Sequence, residues 1–225
     1  MFVYTPLMCG RFALYSPYPK FARRVGAVVS GSDPVPRYNI PPGTWITAVR
    51  QPDGNEPPLV DELWWSYAPK WFKGKARQVI NARVETVGTS GFFKASYERR
   101  RCLIPADGWY EWLKTTTPKT PHYLTRTDRE PLFFAGVYAE RADGTLGCAI
   151  ITEQARGAAE AVHGRMPLIL DDDCLEPWLD PELTDRESIR NLAQHIDAKL
   201  IEHWAVSTAV NKPSEDQGAE LINPA

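Results

Sequence analysis

Short runs of β-branched, aromatic and aliphatic residues recur along this chain, each closed by proline, glycine or aspartate: 45–49, 63–67, 101–104, 109–112, 122–125, 132–138, 148–151, 168–170 and 204–206. Runs of this length and composition read as strands, and the 20 prolines and 15 glycines between them supply the turns. Helical signals are fewer. Thr184-Asp185-Arg186-Glu187 has the form of a capping box and places Ile189, Leu192, Ala193 and Ile196 on one helical face. The alanine-rich segment 154–162 predicts a second helix ending at His163-Gly164, and 91–101 a third. Because strands and helices do not alternate as βαβ units, the expected fold is α+β: a single sheet-dominated domain with a barrel-like β core and a few flanking helices. Stretches 32–43, 51–58 and 115–121 read as surface loops.

With 225 residues, 43% of them hydrophobic, the chain suits one large domain with a substantial core. The four cysteines form no C-x-x-C pair and the four histidines have no ligand spacing, so no metal and no cofactor are expected. Residues 1–8 lack a basic n-region and no long apolar run follows, which predicts a cytoplasmic protein with reduced thiols and no membrane partner. Net charge is only −2, yet nine Lys/Arg fall between Lys70 and Arg101 against Glu85 and Glu98. Trp71, Phe72, Phe92, Phe93 and Tyr97 are interleaved with them. Such a segment fits a single-strand nucleic-acid groove, with cations along the phosphates and rings on the bases. It equally fits a solvated face of mixed charge.

Cys9 directly follows a second methionine, in Met8-Cys9-Gly10-Arg11-Phe12. A start at Met8 with ordinary methionine removal makes Cys9 the first residue of the mature protein. It then carries an amine and a thiol on adjacent carbons, able to condense with an aldehyde and close a thiazolidine ring. The plainer reading is a small buried hydrophobe.

Three further residues have matching chemistry. Asn81, in Asn81-Ala82-Arg83-Val84-Glu85, offers an amide donor and acceptor where a strand passes into a loop or helix. Glu111 lies in the run Trp109-Tyr110-Glu111-Trp112, where a period of two puts Trp109 and Glu111 on one pleat face. An indole beside a carboxylate desolvates it and suits it to proton transfer near neutral pH. His163, in His163-Gly164-Arg165-Met166-Pro167, reads either as a proton carrier or as a histidine that merely ends a helix, while His122, His195 and His203 read as strand or helix-surface residues. A Cys/Asn/Glu/His set also describes a cysteine hydrolase, and spacing does not separate the two chemistries.

Taken in order, Met8-Cys9-Gly10-Arg11-Phe12, the 37–44 segment Arg-Tyr-Asn-Ile-Pro-Pro-Gly-Thr, Trp65-Ser66-Tyr67-Ala68-Pro69, the 81–86 and 107–112 segments, His163-Gly164-Arg165-Met166-Pro167 and the C-terminal Val210-Asn211 with Gly218-Ala219-Glu220-Leu221-Ile222 resemble the SRAP (SOS response-associated peptidase) family of abasic-site processing proteins. The resemblance runs from Cys9 to the C-terminus. It implies a crosslink between the mature N-terminal cysteine and the open-chain aldehyde of an abasic site in single-stranded DNA, with possible lyase and self-processing peptidase activity. Cys9 matches the crosslinking residue, Asn81 the residue that orients the sugar, Glu111 the proton-transfer carboxylate and His163 the residue assisting ring opening and reversal. Arg11 and Arg83 match phosphate contacts, Trp71 and Phe72 an aromatic element against the DNA, and Pro42 a further DNA-binding position. The partner implied is single-stranded DNA containing abasic sites, bound by a monomer. The chain departs from the pattern in one respect, since Met1 to Leu7 precede Met8. Residues 1–8 are therefore expected to be an extension absent from the mature protein, leaving an SRAP-like domain over 9–225. The competing readings are a cysteine hydrolase, for which an internal Cys9 thiol suffices, and a noncatalytic single-strand-binding module.

Overall fold

In the computed structural model, which describes residues 9–29, 33–74, 78–113, 119–213 and 218–225, the punctuated runs become strands of two sheets. In chain order the strands are β1 (Phe12–Leu14), β2 (Arg37–Ile40), β3 (Trp45–Arg50), β4 (Leu59–Trp64), β5 (Asn81–Arg83), β6 (Arg101–Ala106), β7 (Gly108–Leu113), β8 (Thr120–Arg126), β9 (Leu132–Glu140), β10 (Leu146–Gln154), β11 (Arg165–Pro167) and β12 (Ile201–Ala205). The helices are short: α1 (Tyr18–Ala22), α2 (Lys94–Arg99), α3 (Leu175–Leu179) and α4 (Arg186–Leu192).

Five strands close on themselves. β3 pairs with β4 and β6, β6 with β9, β9 with β10, and β10 returns to β4 through a parallel contact at Gly147 and Trp64. Closure removes the exposed edges that an open sheet presents. The expected barrel-like core is thus present. Two short strands dock on β10, β5 in parallel and β11 antiparallel.

The second sheet runs β12-β8-β7-β1-β2. Its period-two alternation sends Phe12, Trp109 and Leu124 to the main core and Ala13, Tyr110 and Tyr123 to a smaller core with Val206, Val210 and Leu221. Phe12 meets Trp65 and Phe134, and Trp109 meets Phe134 edge to face, which fastens this sheet to the barrel. At the start of β7 a Cβ on Gly108 would stand 2.5 Å from the Leu124 carbonyl oxygen, so only glycine permits this approach of β8.

Several sequence expectations shift. The cap of α4 is Asp185, whose carboxylate accepts from the Ser188 N–H, and the helix stops at Leu192, so Ile196 is buried from beyond its end. Residues 154–162 do not form an α-helix: β10 extends to Gln154, and only a 3-10 turn, Gly157–Ala161, follows. The 91–101 helix contracts to α2 because Arg101 enters β6. Within the expected 32–43 loop, 37–40 pairs with β1 as β2. The 63–67 strand is β4, ending at Trp64, and 168–170 makes only isolated bridges. Residues 1–8 and 114–118, on which the extension and most of the 115–121 loop fall, lie outside the described residues.

Candidate active site

The approach to Cys9 is set by the pairing of β1 with β7. Phe12 lies opposite Trp109, and the Tyr110 N–H donates to the Arg11 carbonyl at 2.9 Å, so the chain N-terminal to β1 runs along the outer half of β7. Cys9 is thereby carried beside Glu111. Its backbone N–H donates to Glu111 Oε1 at 2.7 Å, and both residues are buried. Glu111 shares the barrel-facing side of the sheet with Trp109, as the alternation requires.

Burial pushes the Cys9 thiol well above the usual cysteine range, and the Glu111 charge raises it further. The sulfur is therefore kept as a neutral thiol near neutral pH. Cys9 also adopts φ 45°, in the left-handed region where a residue with a side chain is strained.

Asn81 opens β5, which is itself a strand and not the strand exit expected from sequence. Its partner on β10 is Ile150, and the Ile80 carbonyl is bracketed by the Trp65 indole N–H at 3.0 Å and the Ile150 N–H at 2.9 Å. A Cβ on Gly10 would lie 3.8 Å from Ile80 Cδ1, so the residue after Cys9 packs beside the residue before Asn81.

β10 also positions His163. Gln154 pairs with Arg165 on β11, and the Ala155 N–H donates to the Gly164 carbonyl, which draws the 157–161 turn and His163 against the strand end. His163 is buried, with Nδ1 3.1 Å from the Arg165 nitrogen and 3.2 Å from the Arg165 oxygen. An unprotonated Nδ1 accepts from that N–H and a protonated one donates to that carbonyl, so both ring states have a partner. The segment before it is a single 3-10 turn in place of the helix expected to end at His163-Gly164, too short to exert a helix-terminus effect on the imidazole.

Cys9 and Glu111 are thus in direct contact; Asn81 follows Ile80, which packs beside Gly10, and both β5 and the segment carrying His163 border β10. The expected DNA-binding residues divide. Arg11 is engaged internally, donating to Asn39 Oδ1 at 2.7 Å and the Val210 carbonyl at 2.8 Å while lying over the Trp112 ring. Arg83 is exposed at the end of β5. Trp71 and Phe72 are 58% and 37% exposed and form an edge-to-face cluster with Phe92. Pro42 sits in the β2–β3 turn, which the Gly43 N–H ties to the Trp65 carbonyl. The basic 70–101 segment is not one uniform face: Lys70 pairs with Glu140, and Arg101 is buried.

In the sequence Arg165 stands out only as part of the His163 motif. The structure shows it bridging β10 and the segment after β5, donating to the Thr152 carbonyl at 2.7 Å and pairing with Glu85. Only the short His-Gly-Arg spacing signalled it.

The SOS response associated peptidase (SRAP) profile matches residues 8–213. The chain belongs to the SRAP family. Among its relatives, it is 33% identical to the abasic site processing protein YedK of Escherichia coli, over 96% of this chain and all of that protein. It is 32% identical to the abasic site processing protein YoqW of Bacillus subtilis, over 96% of this chain and 99% of that one. A solved protein from Bacteroides thetaiotaomicron shares the SRAP chain's fold with a TM-score of 0.82 and 21% identity, over 96% of this chain and 100% of that one. Among the described residues no cluster of metal-ligating side chains occurs, and no helix is long and apolar enough to cross a membrane.

Proposed function

We propose that this SRAP protein, once residues 1–8 are gone, condenses the Cys9 α-amine with the aldehyde of a ring-opened abasic site in single-stranded DNA. The Cys9 thiol then closes a thiazolidine that shields the lesion during the DNA damage response. The observation that carries this reading is the 2.7 Å contact between the Cys9 nitrogen and Glu111 Oε1. A free α-amine has a pKa of about 7.7–8.0, so it must shed a proton at neutral pH before it attacks, and the carboxylate stands where that proton leaves. Glu111 then returns a proton as the carbinolamine hydroxyl departs as water. His163, with a partner for either ring state, serves the ring opening of the sugar and reversal. Asn81 orients the sugar. Arg83, Trp71, Phe72 and the Pro42 turn line the path of the strand, with Arg11 shaping it from within. Residues 9–225 act as a single monomeric domain in the cytoplasm.

The thiol state argues against a cysteine hydrolase as the main activity. Such an enzyme needs a sulfur whose pKa is depressed by a neighbouring imidazolium, whereas burial and Glu111 drive Cys9 the other way. The named relatives are abasic site processing proteins, which supports the same choice.

The test is to incubate the chain beginning at Cys9 with a single-stranded oligonucleotide carrying an abasic site. A denaturant-resistant adduct is expected, lost in Cys9→Ala. No adduct, or an adduct that survives in Cys9→Ala, defeats the reading.

A further inference from the structure

Two histidines left unused by the Cys9 chemistry stand on the same sheet face as Glu111. β7 and β8 are antiparallel with Glu111 directly opposite His122, and residues so paired have Cβ atoms about 4.5–5.5 Å apart. On the far side of β8, β12 sets His203 opposite Leu124 and Ala205 opposite His122. His203 therefore shares that face one diagonal step from His122. The two Nδ1 atoms are 3.0 Å apart, and both side chains are half-buried.

In the neutral pair, one Nδ1 carries a hydrogen and the other accepts it, so the rings hold opposite tautomers. A proton arriving at the outer nitrogen of the first ring releases its Nδ1 hydrogen to the second, which gives up its own outer hydrogen. Such a pair conducts one proton and ends with its tautomers exchanged. The order Cys9 nitrogen, Glu111, His122, His203 leads from the buried site to the outermost strand of this sheet.

We propose that His122 and His203 are positioning residues that relay protons between Glu111 and solvent during crosslink formation. This rests on the reading of Cys9 given above. Starting from the ammonium form, condensation with an aldehyde and closure by the thiol yield the thiazolidine, one water and one proton. Nitrogen gives up all three of its hydrogens, two of which leave with the aldehyde oxygen as water and one as the free proton, and the thiol hydrogen moves to nitrogen as the carbon–sulfur bond forms. One proton per adduct must therefore leave a buried site. Glu111 takes it from nitrogen, His122 from Glu111, and His203 passes it to water.

The other charged groups around the pair do not offer this path. Arg126, four residues on from His122 along the same face of β8, is bound to Asp128. The 157–161 turn packed on β12 brings the exposed Glu160, and the 208–211 turn beside β8 brings no titratable side chain. Burial, and then the proximity of His203, lower the affinity of His122 for a resident proton, as a conducting group requires.

The relay is needed while the amine begins protonated and loses its purpose once the amine is neutral. Adduct formation is to be timed with residues 9–225 and with His122→Phe and His203→Phe at about pH 6 and about pH 9. Both variants should be slower by roughly tenfold at the lower pH, with the gap closing to within about twofold at the higher. Equal slowing at both pH values, or none, overturns the relay. A second readout needs no DNA: in an NMR titration, Glu111→Gln should lower the apparent pKa of His122, and an unmoved His122 overturns the coupling. Failure of the unsubstituted chain to form any adduct defeats the crosslinking reading instead, and the titration still decides the relay.

Discussion

The Cys9 backbone nitrogen and Glu111 Oε1 lie 2.7 Å apart although 102 residues separate them in sequence. One buried carboxylate thus fixes the nitrogen and, by its charge, helps hold the neighbouring thiol neutral. Replacing it by glutamine keeps a hydrogen-bond acceptor of the same shape and removes the proton acceptor. Glu111→Gln is expected to fold normally and to slow adduct formation by about 10²–10⁴-fold. Single-turnover gel assays check this, and a wild-type rate in the variant would remove Glu111 from the chemistry.

The strained φ of Cys9 bears on the proposed removal of residues 1–8. That angle is defined by the Met8 carbonyl carbon, so a strain of about 1–3 kcal/mol disappears when the 8–9 bond is broken. A chain expressed from Met1 is expected to lose residues 1–8 by its own action, while Cys9→Ala and Glu111→Gln retain them. Intact mass of the three purified chains distinguishes the cases. Removal that proceeds equally in both variants would assign it to another agent.

Much of this was legible in the sequence because alternation is a local signal. The runs that became β3, β6, β7, β8, β9 and β10 were visible, and the same period placed Glu111 with Trp109 on the barrel side. What was illegible depends on partners distant in sequence. β1, β2, β5 and β11 are three or four residues long and exist only because a neighbouring strand accepts their hydrogen bonds. The 154–162 segment has helical composition, yet β10 pairing continues through Gln154, and Gly157 turns the chain at φ 55°. Cys9, Asn81, Glu111 and His163 were nameable one by one, but the contact between Cys9 and Glu111 follows from the register of β1 on β7. The same limit hid His122 and His203, which look like surface histidines until β8 and β12 are paired.

Arg101 is a structural cation. Buried in β6, it donates to the carbonyls of Tyr97, Glu98, Trp178 and Asp180, closing the C-terminal ends of α2 and α3 together. Burial pushes its pKa down to about 10, so it remains charged near neutral pH. Arg101→Met strands several of these carbonyls and should cost about 3 kcal/mol of stability in urea unfolding. A loss below about 0.5 kcal/mol would show that water replaces the guanidinium without penalty.

The exposed aromatic cluster and Arg83 are expected to contribute differently to DNA binding. Trp71→Ala removes a stacking face and should weaken single-strand binding by about 1–3 kcal/mol at any salt concentration. If Arg83 contacts a phosphate as proposed, Arg83→Gln should reduce the slope of log affinity against log salt by about 0.7. Fluorescence anisotropy across a salt series separates them; identical salt slopes for Arg83→Gln and the unsubstituted chain would place Arg83 off the strand's path.

His122 also makes stability pH-dependent in a definite direction. Burial, followed by repulsion from His203, depresses the folded-state pKa of His122 below its ordinary value of about 6.5. Between the two values the unfolded chain binds more protons than the folded one, so stability rises with pH through that window and levels off above about 6.5. As pH falls, the unfolded chain takes up a proton that the folded chain resists, and melting temperature drops. His122→Phe removes this titration, so its melting temperature should fall less than that of the unsubstituted chain between about pH 6.5 and about pH 5. Parallel melting curves across that range would show that folding does not depress the His122 pKa.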